Sequence, residues 1–198
     1  MVFWGLSPVP RNGGWLFPII PSNDSINLRP RWRSCYMRKP RMLREGARYH
    51  VYARANRKEM IMDRDEMKDL FLTVVKAAKE RYDFRLENFC IMGNHFHFII
   101  QPGINSCLSS IMQWILGVFA MRFNRRMKLT GHVWGERFAS SIIRNLRQYR
   151  EKYLYIDENP GKSGLVDKAQ DWLYGRFHLH HIGCDGLLEN PPPNPDFA

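Results

Sequence analysis

Two histidines stand two positions apart in the segment Gly93-Asn94-His95-Phe96-His97-Phe98-Ile99-Ile100. On a strand, residues i and i+2 leave the same face, so His95 and His97 share one side while Phe96 and Phe98 take the other. Two imidazoles converging on one point are what a divalent cation needs from a two-ligand contribution, and nitrogen donors suit Mn, Zn, Fe and Ni, with a softer preference for Mg. A polar pair in an otherwise apolar strand is costly to bury without partners, and a hairpin is a rigid mount for ligands. The pair also has a structural reading, as histidines satisfied within a core, and the motif by itself does not choose between the two.

A third donor and a nucleophile stand together further along, in Tyr153-Leu154-Tyr155-Ile156-Asp157-Glu158-Asn159-Pro160. Tyr155 and Asn159 are four apart, so on a helix a phenol and an amide oxygen share a face. A tyrosine that attacks a phosphodiester must lose a proton whose unperturbed pKa is about 10, and a nearby cation favours the phenolate. Tyr153 is the rival nucleophile, but two positions along a helix turn it to another face. The bland alternative is that both tyrosines are packing aromatics and that Asn159 only ends the helix.

These groups need a frame, and the hydrophobic pattern supplies one. Residues 47–55 alternate, with Tyr49, Val51 and Ala53 on one face, which predicts a first strand. Met67, Leu70, Phe71, Val74, Val75 and Ala78 recur at helical spacing and predict a helix ending near Tyr82. Residues 85–92 and 96–101 are short apolar segments around Gly93-Asn94, a hairpin signature. A helix capped by Ser106 or Ser109 runs toward Lys128 with Gly131 behind it. Residues 133–143 read as a bulged fourth strand, and residues 146–158 as a last helix closed by Asn159-Pro160-Gly161, since the residue before proline avoids helical geometry. This order predicts an α+β, ferredoxin-like split βαβ antiparallel sheet with helices on one face and an appended C-terminal helix.

Composition bounds the rest. Hydrophobic residues make up 44% of 198 positions, which excludes a disordered chain and allows one domain. Thirty Lys and Arg against nineteen Asp and Glu leave a formal charge of +11, which favours a polyanion such as nucleic acid. Arg38, Lys39, Arg41, Arg44 and Arg48 form one basic cluster and Arg122, Arg125, Arg126 and Lys128 a second, both expected to meet phosphates. The second cluster also complements a helix dipole. Cys35, Cys90, Cys107 and Cys184 lack zinc-knuckle or disulfide spacing, and prolines break the N-terminal apolar residues, so the expected setting is cytoplasmic, with no membrane span. Residues 1–40 read as an irregular basic and aromatic arm, 41–172 as the catalytic domain, and 173–198 as a partly disordered extension.

Three segments in this order resemble the REP-associated tyrosine transposases, relatives of the single-tyrosine insertion-sequence transposases that carry a His-hydrophobic-His motif. They are Asn94-His95-Phe96-His97, with Gly93 where proline often stands, then Gly131-His132-Val133-Trp134-Gly135-Glu136-Arg137-Phe138, then Tyr155 to Pro160 followed by Gly164-Leu165-Val166. The resemblance implies that Tyr155 attacks a phosphate of single-stranded, hairpin-forming repeat DNA, leaving a 5′-phosphotyrosine and a free 3′-hydroxyl. It further implies that His95, His97 and Asn159 hold Mg or Mn. It leaves open whether the chain acts as a monomer or a homodimer, with Tyr155 serving its own site or a partner's. The reading from a different class is a non-catalytic protein that binds hairpin or single-stranded nucleic acid.

Overall fold

Alternation along the strands decides which side chains the helices cover. The computed structural model describes residue 44, residues 46–179 and residues 186–189. Its four strands are β1 (Arg48–Arg54), β2 (Phe84–Ile91), β3 (His95–Pro102) and β4 (Ala139–Ile143). They form one antiparallel sheet in the order β2-β3-β1-β4, so β1 and β2 run parallel on either side of β3. That is the split βαβ arrangement expected from the sequence.

On one face, Tyr49, Val51 and Ala53 of β1 and Phe96, Phe98 and Ile100 of β3 are buried beneath α1 (Asp65–Arg81) and α2 (Leu108–Met127). Phe71 of α1 sits at the centre, with ring centroids 4.7 Å from Phe96 and 5.1 Å from Phe119 of α2. Each such aromatic contributes about 1.5–3 kcal/mol through removal from water. Trp134 enters the same cluster from the loop before β4, and its indole N–H donates to the Leu116 carbonyl at 3.0 Å. The Gly-x-x-Trp-x-x-Arg-Phe segment is therefore partly structural: Trp134 and Phe138 pack inward, and Gly131 takes a φ of +101°.

Three sequence expectations give way to the structure. The last helix, α3 (Leu146–Lys162), runs through Pro160 instead of stopping before it. Pro160 is buried in the final turn, and Ser163 N–H still reaches the Asn159 carbonyl at 3.0 Å, so the helix closes beyond the proline. The N-cap of α2 is Cys107, not Ser106 or Ser109, and Lys128 ends that helix in the left-handed region. The fourth strand is only residues 139–143, because Trp134 and Phe138 turn into the core and only Trp134 bridges to Ala55. Beyond residue 172, Tyr174 and Leu187 are buried, and Glu189 pairs with Lys79.

The arm at residues 1–40, the basic residues Arg38, Lys39 and Arg41, and the final residues 190–198 lie outside the described residues. Among the described residues, no helix is long and apolar enough to cross a membrane.

Arg48, expected at the DNA surface, is instead buried, and its Nε donates to both carboxylate oxygens of buried Glu87 at 3.0 and 3.1 Å. A strand position on the sheet face that α3 covers takes its guanidinium away from solvent. Removing one partner of a buried ion pair leaves the other charge uncompensated. We therefore expect Arg48→Met to lower unfolding free energy in urea by about 3–5 kcal/mol. The double variant Arg48→Met/Glu87→Met should regain most of that loss.

Candidate active site

The second face of the sheet carries His95 and His97 of β3 and, by the same alternation, His50, Tyr52 and Arg54 of β1. Register places Tyr52 opposite His97 and Arg54 opposite His95. β1 thus adds a third imidazole, His50, that sequence reading did not assign. Its signal was the period-two parity of His50, Tyr52 and Arg54 on the polar face of a predicted strand.

α3 closes one side of this face. Tyr149 and Ile156 pack against Cys90, Met92, Ile99 and Ile143. Polar ties fix its rotation: Asn88 Nδ2 donates to Asp157 Oδ1 at 2.9 Å, and Arg176 Nε donates to Asp157 Oδ2 at 2.8 Å. At the other end, the Asn145 side chain accepts from Gln148 N–H and caps the helix. Held this way, the helix aims Tyr155 and Asn159 at the histidines of its own chain.

The result is an open cleft of about 740 Å³ lined by His50, His95, His97, Tyr155 and Asn159 together with several cations. The Tyr155 ring stands edge-on to His97, with centroids 5.4 Å apart, and is 39% exposed. Tyr153 is half-buried, with the Arg176 guanidinium 5.1 Å from its ring centre and Tyr149 beside it. It is absent from the cleft lining. Of the two tyrosines, only Tyr155 lines the cleft.

His95 and His97 have ring centroids 5.2 Å apart, and Asn159, itself buried, lines the same cleft. Burial is the main force holding all three imidazoles neutral: His50 falls to about 4, His97 to about 3, and His95 moves down as well. Neutral imidazole is the form that ligates a cation. Asn94 fixes one tautomer. Its Nδ2 donates to the Lys58 carbonyl at 3.1 Å, so its Oδ1, 2.7 Å from His95 Nδ1, must accept, leaving the His95 lone pair on Nε2.

Among the described residues, no group of three His, Cys, Asp or Glu side chains is arranged to hold a metal ion. His50 does not complete such a group because its Nε2 is turned onto His97 Nδ1, 3.1 Å away. The donor set that does fit is two imidazoles and the Asn159 amide oxygen, with water or phosphate oxygens completing the shell.

The cations at the cleft are not the ones expected from sequence. Arg122, Arg125 and Arg126 lie on α2 outside the cleft lining, and Arg126 pairs with Glu66 at 3.0 Å. Arg44, at the edge of the described residues, is exposed and also absent from the lining. Arg54, Arg57, Lys58, Arg137, Lys152 and Lys162 line it instead. Lys152 and Lys162 place their ammonium groups 5.7 and 5.9 Å from the Tyr155 ring centre. Their spacing from Tyr155, three before and seven after, is a helical-face signal. Arg57 and Lys58 both adopt positive φ, 51° and 60°, at the rim. Non-glycine residues held there mark a constrained turn.

Comparison with known proteins places the chain in a family. Residues 44–159 match the family model described as transposase IS200 like. A REP-associated tyrosine transposase of Escherichia coli is 27% identical over 131 residues, covering 66% of this chain and 74% of that protein. A Haemophilus influenzae protein assigned to the same group is 27% identical over 136 residues, covering 64% of this chain and 77% of its own length. A solved REP-associated tyrosine transposase, bound to a REP hairpin, superposes with a TM-score of 0.61 at 22% identity. The match covers 81% of this chain and 94% of that one, and it is a likeness of fold.

The tyrosines should separate chemically. Burial raises the phenol pKa of Tyr149 and Tyr153, so at a given pH each presents less phenolate. Brief nitration at pH 8 followed by peptide mapping is expected to find Tyr155 modified ahead of Tyr149 and Tyr153. Faster reaction at Tyr153 would contradict the orientation of α3.

Proposed function

The chain belongs to the IS200-like transposase family, and from that premise we propose that it nicks and rejoins single-stranded DNA through Tyr155. The observation that carries this reading is Tyr155 exposed in a cation-lined cleft, edge-on to His97 and on one helix face with Asn159. In the nicking step the Tyr155 phenolate oxygen bonds to phosphorus and the bond from phosphorus to the 3′ oxygen breaks. The products are a 5′-phosphotyrosine and a 3′-hydroxyl, which takes up a proton. Ester energy is conserved in the new bond, so reversal with another 3′-hydroxyl joins strands without an external energy source.

His95, His97 and Asn159 are the residues that would hold Mg or Mn. When bound there, such a cation polarises the scissile phosphate and favours phenolate over phenol. The protein's own cations have a separate task. Lys152 and Lys162, flanking the Tyr155 ring, and Arg54, Arg57, Lys58 and Arg137, around the rim, balance backbone phosphates and hold the strand against the tyrosine. Glu136 is the single acid among the lining residues, so the cleft is strongly cationic.

The partner we propose is a DNA hairpin with an adjoining single strand. The likeness to a hairpin-bound REP-associated transposase supports it, as does the formal charge of +11. The test is a labelled hairpin substrate with Mn, scored for a protein–DNA adduct that survives denaturation. We expect an adduct in the wild type, none in Tyr155→Phe, none after chelation, and retained binding in Tyr155→Phe. An adduct that persists in Tyr155→Phe would move the nucleophile to Tyr153. Tight hairpin binding with no adduct under any condition would mean a binding protein and not a strand-transfer enzyme.

The cleft cations carry a second expectation. Each phosphate contact on a single strand contributes about 0.7 to the slope of log affinity against log salt. Lys152→Ala should lower that slope by about one contact, whereas Arg125→Ala, outside the cleft, should leave it unchanged. A slope that responds equally to both would relocate the strand.

A further inference from the structure

His50 lies on β1, one of the two inner strands, outside the three motifs singled out in the sequence, and has no assigned part in the reaction. It is buried, as is His97, with 8% and 5% of their surfaces exposed. The two rings are nearly parallel, 16° apart, and His50 Nε2 meets His97 Nδ1 at 3.1 Å. Strand register explains the encounter. His97 is opposite Tyr52 and His50 is opposite Ile99, so the histidines are diagonal neighbours on one face of an antiparallel pair. Tyr52 lies against His97, with ring centroids 5.7 Å apart, and Tyr155 stands edge-on to both imidazoles.

Two neutral imidazoles that meet nitrogen to nitrogen have two arrangements. Either His97 donates Nδ1–H and keeps its lone pair on Nε2, or His50 donates Nε2–H and His97 carries its proton on Nε2. Only the first leaves His97 able to ligate through the nitrogen that His50 does not occupy. His95 is held in the corresponding tautomer by Asn94 Oδ1. The two histidines thus have separate holders, an amide oxygen for one and an imidazole nitrogen for the other.

We propose that His50 is a positioning residue that accepts the Nδ1–H of His97 and so fixes the tautomer and ring orientation in which His97 Nε2 ligates the divalent cation. Hydrogen-bond partners of this kind raise ligand basicity, and their loss costs about 10–100-fold in metal affinity. The inference rests on the reading of His95 and His97 as ligands, and the experiment separates the two.

Mn binding to the protein alone, without DNA, is measured by the electron paramagnetic resonance signal of free Mn in wild type, His95→Ala, His50→Phe and His50→Gln. Thermal melting checks that each variant is folded. His50→Phe keeps a flat ring but offers no acceptor, and it should weaken Mn binding about 10–100-fold. His50→Gln, whose Oε1 can accept, should stay within a few-fold of wild type. Nitrogen-15 spectra of histidine-labelled wild type should show the His97 proton on Nδ1. That readout stands even if His50→Phe fails to fold.

Wild-type Mn affinity in folded His50→Phe, together with loss in His95→Ala, would overturn the role of His50 and leave the ligand reading intact. Equal affinity in wild type and His95→Ala would overturn the ligand reading and this inference with it. A His97 proton found on Nε2 would overturn the inference directly.

Discussion

Phe96 and Phe98 are buried against Phe71 of α1, and because neighbouring side chains on a strand leave opposite faces, that burial drives His95 and His97 to the other side of the sheet. The core decides which face the histidines take, and contacts of their own, Asn94 with His95 and His50 with His97, act only after that choice. β1 obeys the same rule. Tyr49, Val51 and Ala53 belong to the core, so His50, Tyr52 and Arg54 must share the face of the metal-binding candidates. A register shift of one residue would send His50 into the core if it fell in β1, or His95 and His97 if it fell in β3, and would turn three core residues of that strand into the cleft. The packing that stabilises the fold also sets the geometry of the site.

The tyrosine needs a second constraint, because a helix can rotate where a strand in a sheet cannot. Ile156 and Tyr149 supply the apolar side of that constraint, and the contacts among Asn88, Asp157 and Arg176 supply the polar side. Asp157 accepts from two donors on different elements, one on β2 and one beyond α3. Turning the helix by one residue would therefore break both bonds and expose Ile156. Tyr155 is exposed because its neighbours Ile156 and Asp157 are not. Exposure of Tyr155 and fixation of its helix are two results of the same packing.

Much of this was legible in the sequence because it depends on short-range periodicity. Period-two and period-3.6 patterns located four strands and three helices; strand parity paired His95 with His97, and helical spacing paired Tyr155 with Asn159. What escaped is set by tertiary register. A lone His50 among strand residues carries no mark of the diagonal neighbour it meets across β3. Arg48 sat within a run of basic residues, and only Glu87, 39 positions away, makes it a buried ion pair. The cleft cations come from the end of β1, the turn after it, the loop before β4 and one face of α3, so no local cluster announced them. Clusters of charge show where a chain is basic, whereas a surface is assembled from single residues on several elements. Pro160 was misread for a related reason: the rule about the residue before proline describes a local preference, and a buried final turn outweighs it.

The charge balance of the cleft ties these elements together. On the proposed ligand set, His95, His97 and Asn159 are three neutral donors, and cation affinity grows with the number of charged ligands. The lining adds Glu136 alone on the acidic side and six Lys and Arg on the basic side, so the protein offers a divalent cation nitrogen and oxygen lone pairs but little negative charge. A DNA phosphate supplies what is missing. It is an oxygen ligand for the cation and a counter-charge for Lys152 and Lys162, and each of these favours the other's presence. By linkage, whatever DNA adds to metal affinity the metal must add to DNA affinity. On the proposed function, a site built this way assembles around its substrate: the imidazoles are kept neutral by burial, the cations stand ready at the rim, and the full set of charges is balanced only when a phosphate lies beside Tyr155.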